Sequence, residues 1–441
     1  VVQFSFKRAF ALIAVGSLAT IAALAQGQQK QWKDRAEYDL ADSIAKEQNP
    51  TTKLQLLDTW KQKYPASDFK VDRQTQVMDA YRALGKGKEM LDAAKDLIVL
   101  DPKNIQGLYW ANLLTVSLQD KSVEALGAGE QYAKGLLDAA PVFYDPSKKP
   151  EKVPEDAWKK EKAMMDKVAH RTLGWVAMQR KQNEDAEKEF TTALQIDPND
   201  AEVSSWLGTA LALQRKLEKQ SAALYEFARA AYHDGQGALP DASRKNLQTY
   251  LEKTYINFHG DKTGLDALID QSKKEALPPA GFHIDSKDEA LAKQEEELKK
   301  TNPQLALWVK IKGELNGPNG QQYFDSSLKG AAVPPPEGIE GVKKFKGTVV
   351  SVAPEKKPNS VILGISAKEM SEVTLKFEKP LAAVPEKGTE LEFSGSPTAF
   401  DPDTKMLTFD VDPADVTGLP KPAPARRAAP VAKKAGAARK K

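Results

Sequence analysis

Between Asp34 and Lys274 apolar residues return every three or four positions, in runs separated by short polar breaks, which predicts a succession of paired helices. Tyr38, Leu40, Ala41, Ile44 and Ala45 mark a first helix from Asp34 to Glu47. Asn49-Pro50 breaks the run, and Thr51 and Thr52 can cap a second helix that carries Leu54, Leu56, Leu57 and Trp60 and ends at Tyr64-Pro65. The next pair spans about Asp68 to Leu84 and Lys86 to Leu100. A third has Leu108, Tyr109, Leu113, Leu114 and Leu118 on one helix and Ala125 to Ala139 on the other. Four prolines then make Pro141 to Glu155 a surface loop. A long helix from Glu155, with Trp158, Met164, Met165 and Val168, leads into the stretch Val168 to Asn199.

That stretch is the most regular on the chain. Gly174, Ala186 and Ala193 are small where two antiparallel helices would touch, Leu173, Ala177 and Phe190 fill the space between them, and Pro198 ends the unit. In order and spacing, Leu173, Gly174, Ala186, Phe190 and Pro198 resemble the tetratricopeptide (TPR) repeat, with His170 where Trp is usual and Ala177 where Tyr is. Leu207-Gly208 follows 34 residues after Leu173-Gly174, the repeat length of that family. Ala223, Phe227 and Ala230 fall three residues late, which predicts an insertion near Lys216 to Gln220. Leu100-Asp101-Pro102 repeats the terminator Ile196-Asp197-Pro198, and a degenerate pair from Ser243 to Phe258 and Gly264 to Lys274 closes the array. Such repeats bury their apolar sides only by stacking on neighbours.

Residues 276–341 read as a linker with one helix, bracketed by Pro278-Pro279 and Val333-Pro334-Pro335-Pro336, with one short apolar piece from Leu305 to Ile311. From Val342 the period becomes two. Phe345–Val352, Ser360–Ile365, Glu372–Phe377, Thr389–Gly395 and Met406–Val411 predict five strands in a small barrel or sandwich domain over 342–418. Phe345-Lys346-Gly347-Thr348-Val349-Val350-Ser351-Val352 resembles the opening strand of an OB-like barrel. The expected architecture is thus a TPR-type α-helical solenoid over 34–275, the linker, a small all-β OB-like domain, and a disordered Pro, Ala and Lys tail over 419–441.

Charge divides the chain further. The formal net charge of +3 conceals a basic end: from Lys421 onward there are eight basic side chains, among them Arg426, Arg427, Lys433, Lys434, Arg439, Lys440 and Lys441, and no acidic one. Between Gln26 and Pro420 the balance is about −7. Flexible positive charge of that density attracts polyanions, with affinity that falls steeply as salt rises. At the other end Lys7-Arg8, an apolar run from Ala9 to Leu24 and Ala23-Leu24-Ala25 have the layout of a secretory signal peptide over residues 1–25, cleaved after Ala25. An uncleaved membrane anchor is the alternative. The expected location is periplasmic or secreted. The chain has no Cys, so disulfides and thiolate metal sites are excluded.

Signatures of catalysis are scarce. The four His residues, His170, His233, His259 and His283, have no helical-pair spacing for zinc, and His170 is expected to pack within its own hairpin. Ser67-Asp68-Phe69-Lys70 and Ser326-Ser327-Leu328-Lys329 lack the companion motifs of a serine hydrolase, and Gly85-Lys86-Gly87-Lys88 lacks the spacing of a phosphate loop. No enzyme activity, cofactor or metal is expected. The TPR resemblance instead implies a groove lined by the first helix of each pair, with Arg171, Trp175 and Met178 from one unit and Ser205, Thr209 and Ala212 from the next, taking a protein or peptide partner. Trp175 would serve as an apolar anchor there, or pack against the next repeat; Arg171 would fork onto a carboxylate or backbone carbonyls. The function expected is an exported, non-catalytic adaptor; the alternative is an envelope polyanion- or nucleic-acid-binding protein acting through the tail and β domain.

Overall fold

The computed structural model describes residues 30–339 and 341–421; the expected signal peptide and the tail positions Arg426 to Lys441 lie outside them. The chain divides into two compact units at Lys287/Asp288. In the first, twelve helices follow one another: α1 Arg35–Lys46, α2 Pro50–Lys63, α3 Lys70–Ala83, α4 Gly87–Leu100, α5 Ile105–Leu118, α6 Val123–Phe143, α7 Glu155–Gln179, α8 Asn183–Ile196, α9 Ala201–Leu213, α10 Leu217–Tyr232, α11 Asp241–His259 and α12 Leu265–Lys274. Local chemistry sets several of their starts. Asp34 caps α1 through the Glu37 N–H, Asn104 caps α5 through Gly107 N–H and Asp200 caps α9 through Val203 N–H. Asn49, rather than Thr51 or Thr52, caps α2, because Pro50 suits the first helical position and leaves the Asn49 carboxamide facing the Thr51 and Thr52 N–H groups.

From α1 to α11 each helix packs chiefly on its neighbours in sequence, whereas α12 packs on α10, so the core is a chain of buried clusters passing from α1 and α2 through to α12. A very close approach is made at α7 and α8. A Cβ added at Gly174 would lie 2.5 Å from the Phe190 ring, so the ring occupies the notch that glycine leaves. Gly208 does the same for Phe227, at 2.9 Å. The three residues of the expected insertion do not lengthen the turn between these helices; α10 takes them up within itself. The turn from α9 to α10 has three residues, Gln214 to Lys216, as does the turn Arg180 to Gln182 from α7 to α8. Phe227 simply sits three residues further along its helix than Phe190 does, close to one full turn, so the ring stays on the same face.

Two other expectations are corrected. The loop read from Pro141 begins later, because α6 runs through Pro141 to Phe143 and a 3₁₀ turn follows at Pro146–Lys148. Packing holds the helix there: Tyr144 is buried, Trp158 Nε1 donates to its carbonyl at 3.0 Å, and the two rings meet edge to face at 4.8 Å. Residues 276–341 hold more than one helix. They contain α13 Lys287–Thr301, α14 Pro303–Asn316 and α15 Gly320–Tyr323, the last continued by a π turn over Phe324–Leu328. The apolar piece Leu305 to Ile311 belongs to α14, and its Trp308 is fully buried in the core of the second unit.

Among the described residues that unit has six strands: β1 Phe345–Ala353, β2 Ser360–Gly364, β3 Val373–Lys376, β4 Glu390–Phe393, β5 Ser396–Asp401 and β6 Met406–Asp410. Their order is β4-β1-β2-β3-β6-β5, with β3 and β6 parallel and every other pair antiparallel. Five strands were expected from the sequence; β5 is the addition, hidden because it opens on Gly395 and Pro397 and buries little besides that proline. β4 and β5 are opposite edges of the sheet, yet only Ser394 and Gly395 join them. Three residue steps reach about 11 Å, whereas six flat strands span about 24 Å, so the sheet curls until its edges meet. Gly395 permits the close passage, since a Cβ there would lie 2.8 Å from the Asp410 carbonyl oxygen. Phe345, Phe393 and Phe409 fill the interior, and Phe377 beside β3 is buried with them.

One ionised group ties α14 to the sheet. The buried Glu372 carboxylate accepts from Ile365 N–H at 2.7 Å, Ser366 N–H at 2.6 Å, Ser366 Oγ at 2.7 Å and Trp308 Nε1 at 3.2 Å. Burial alone would raise its pKa, but these donors outweigh burial and hold it below the ordinary glutamate value.

Gly174→Ala is therefore expected to lower stability by about 1 to 3 kcal/mol through overpacking, read from the denaturant midpoint, and Phe190→Leu in the same chain should recover part of the loss. Glu372→Ala should destabilise the β unit by about 2 to 4 kcal/mol, since it leaves the Trp308 and Ser366 donors without a partner. Because the folded-state pKa is depressed, the wild-type contribution is complete above the ordinary glutamate value of about 4.3 and is lost as pH falls through the lower folded value. Thermal unfolding of both proteins from neutral pH downward, with hydrogen exchange read on β2 and β3, checks this: the gap between them should narrow in acid.

Candidate partner-binding face

The six residues expected to line a groove lie on α7 and α9, spaced i, i+4, i+7 on each helix, so each set forms one stripe. Their surroundings differ sharply. Trp175 is 3 % exposed and shares a continuous buried cluster with Val116, Leu126, Leu207 and Leu211. It is a core side chain and offers no surface to a partner, which corrects its reading as an anchor. The reason is the neighbouring repeats: Trp175 stands on the side of α7 that they cover. His170 packs within its hairpin as expected, with Nδ1 2.6 Å from Glu189 Oε2 on α8.

Arg171 is also committed within the fold. Its Nη2 donates to Glu202, its Nε lies 3.9 Å from Asp200 Oδ2, and its guanidinium stacks over the Trp206 ring at 4.9 Å. Burial would pull its pKa down, but Glu202 and Asp200 outweigh that and hold it above the ordinary value. Lys167, one turn earlier, reaches Asp197 at 2.9 Å and Asp200 at 3.9 Å. Asp197 is held below the ordinary carboxylate value, since the Lys167 contact outweighs the effect of burial. Together Lys167 and Arg171 fasten α7 to the terminator Asp197-Pro198-Asn199-Asp200 and to the first turn of α9. An Arg so engaged does not stand ready to fork onto a partner's carboxylate.

What stays accessible is Met178, Ser205, Thr209 and Ala212, all half-buried. Thr209 Oγ1 donates to the Ser205 carbonyl at 2.8 Å, a bond within α9 that leaves the hydroxyl oxygen able to accept. The stripe carries no formal charge. It can take apolar contact through Met178 and Ala212 and single hydrogen bonds at Ser205 and Thr209. Sequence reasoning missed Lys167, Asp200, Glu202 and Trp206, which decide how α7 and α9 are joined. The signal was present in part: Arg171 and Glu202 are 31 residues apart, close to one repeat, so a basic side chain on one first helix can meet an acidic one on the next.

Arg171→Ala should cost about 2 to 4 kcal/mol, because it strands Glu202 without its cation and leaves Asp200 only Lys167, and Trp175→Ala about 3 to 5 kcal/mol through the cavity it leaves. Both are expected to appear as lowered unfolding midpoints in the absence of any partner, whereas Thr209→Ala should change the midpoint by no more than about 0.5 kcal/mol.

Residues 168–200 match the family model described as Tetratricopeptide repeat. No curated protein matches the chain. Among solved structures, an assembly chaperone of RpL4 is 15 % identical, with 60 % of this chain and 98 % of that chain covered and a TM-score of 0.37. A thermophilic TPR protein from Thermus thermophilus is 18 % identical, over 50 % of this chain and 98 % of that one, with a TM-score of 0.27. The MamA protein is 14 % identical, over 44 % and 86 %, with a TM-score of 0.31. Residues 168–200 are thus a tetratricopeptide repeat, set within a TPR-like solenoid of paired helices that is followed by a small β unit.

Proposed function

We propose that this protein is an exported, non-catalytic adaptor that holds a polypeptide segment against the first helices of its array. The observation that carries the reading is the repeat at residues 168–200 embedded in further pairs of the same kind, an arrangement whose extended inner surface serves repeat proteins for binding other proteins. The accessible stripe of Met178, Ser205, Thr209 and Ala212 is uncharged, so the segment that suits it is apolar or hydroxyl-bearing at the contact. Export rests on the signal-peptide layout of residues 1–25 and is checked by the mass of the mature N-terminus, which should begin at Gln26 in material recovered outside the cytoplasm. A chain retained whole in the membrane fraction would make the segment an anchor instead.

The OB-like reading of the second unit is supported by its topology. If β4 and β5 are counted as one strand bent at Gly395, five strands remain, with a β1-β2-β3 meander and a parallel β3–β6 contact. A nucleic-acid role would need exposed rings on the sheet. Phe345, Phe377 and Phe409 are buried and β2 carries no aromatic, which weighs against it. The basic tail remains the rival, as a contact to anionic surfaces.

A photoreactive crosslinker at Thr209, compared with one at Val99 on α4, which is 81 % exposed, separates the two. Thr209 should capture one polypeptide species that Val99 does not, and capture should persist when Lys421 to Lys441 are deleted. If capture vanishes with the tail and is the same at both sites, the adaptor reading fails and the polyanion reading replaces it.

A further inference from the structure

The last helix of the array is held by side chains of α10 acting on main-chain carbonyls. Tyr225 Oη donates to the carbonyls of Gln271 at 3.3 Å and Glu275 at 3.1 Å, and Arg229 Nη1 to those of Ser272 at 3.1 Å and Lys273 at 2.7 Å, so the carbonyl end of α12 is capped from α10. Arg229 Nη2 also reaches the carbonyl of Pro198 at 2.9 Å. The segment after α12 returns to the same helix: Ile284 N–H donates to Ser221 Oγ at 3.0 Å, and Phe282 packs edge to face on Tyr225 at 5.0 Å. Ser221, Tyr225 and Arg229 form one i, i+4, i+8 row, and that row fastens α12 and the strap behind it.

Beside this row sits a carboxyl group that none of these contacts explains. Glu226 is wholly buried and neither of its oxygens makes a hydrogen bond of ordinary geometry; the buried Ser204 hydroxyl on α9 is a neutral donor beside it, too loosely placed to satisfy the carboxyl. Burial pushes the Glu226 pKa well above the ordinary value, against the opposing pull of Ser204 and Arg229. The charged groups on the elements packed around it are engaged or exposed. On α9, Glu202 pairs with Arg171; on α11, Arg244 pairs with Asp241, Lys245, Glu252 and Lys253 are exposed, and His259 Nδ1 meets the Asp285 carbonyl at 2.8 Å; on α12, Asp266, Asp270, Lys273 and Lys274 are exposed; on the strap, Glu275 is exposed and His283 lies 3.3 Å from the Asp285 carboxylate. That leaves Arg229, one turn along α10, as the cation able to answer an ionised Glu226.

We infer that Glu226 and Arg229 form a proton-operated latch on α12. With Glu226 protonated, the guanidinium holds the carbonyls of Pro198, Ser272 and Lys273. When the proton leaves, a buried unpaired carboxylate is too costly to persist, and the guanidinium turns to it from those three carbonyls. The caps of α12 are then lost, and α12 and the strap to Ile284 open.

The closed form keeps a proton that the open form gives up, so between the ordinary glutamate value and the raised one the opening constant should rise about tenfold per pH unit. Hydrogen exchange of the full chain, corrected for its intrinsic pH dependence and followed from about pH 5 to about pH 8, reads this on α12, with α3 and α4 as an internal reference. Wild-type α12 should lose protection as pH rises, and in Glu226→Gln it should stay protected throughout; Glu226→Leu serves equally if the Gln variant does not fold. Arg229→Gln should leave α12 open at every pH. A flat wild-type profile, an unchanged slope in either Glu226 variant, or a wild-type slope retained in Arg229→Gln would overturn the latch.

Discussion

A helix with one apolar side cannot stay in water by itself, and the first unit of this chain meets that constraint by letting neighbouring backbones come very close. The Phe190 ring lying where Gly174 has no side chain, repeated by Phe227 at Gly208, is the contact on which the arrangement turns. With the ring seated, Ala186, Ala193 and Leu194 are buried on one helix and Val176 and Ala177 on the other, and the pair presents a continuous surface for α9 to cover. Dispersion and exclusion of water then act along the whole array, because each pair completes the burial of the one before it.

Charge has a narrower part. Within the array, Lys167 and Arg171 tie α7 to the turn that begins the next pair, and Glu37 receives the Trp60 indole at 2.9 Å near the start. In the β unit Glu372 plays the corresponding part, receiving the Trp308 indole together with three donors from the β2–β3 connection. In both units a buried carboxylate accepts from a tryptophan on another helix or segment. Its position is specified by direction, as hydrogen bonds are and apolar contacts are not. Glu226 stands apart from this pattern, buried with no hydrogen bond of ordinary geometry to either oxygen.

The division of labour bears on function. The side chains best suited by type to grip a partner, Trp175 and Arg171, are consumed in joining α7 to its neighbours. What stays accessible on this stripe, Met178, Ser205, Thr209 and Ala212, is small and uncharged, and on the function proposed it would select by shape and by a few hydrogen bonds.

The succession of helices from Asp34 to Lys274 was legible in the sequence because a 3.6-residue period, Gly at the crossing point and Pro at the exit are local statements, each set by the chain's own geometry. The two-residue alternation after Val342 was legible for the same reason. Periodicity is silent on everything that depends on which neighbour covers a face. It could not show that Trp175 would be roofed over by adjoining repeats, or that Arg171 would find Glu202 and Trp206. Nor could it show that Trp308 would enter the β core, or that Ser396 to Asp401 would pair as a strand despite Pro397. A helix or strand announces itself through residues near in sequence, whereas the solvent seen by one side chain is decided by residues far along the chain, 31 positions away for Arg171 and Glu202 and 64 for Trp308 and Glu372, and only the folded chain brings those into contact.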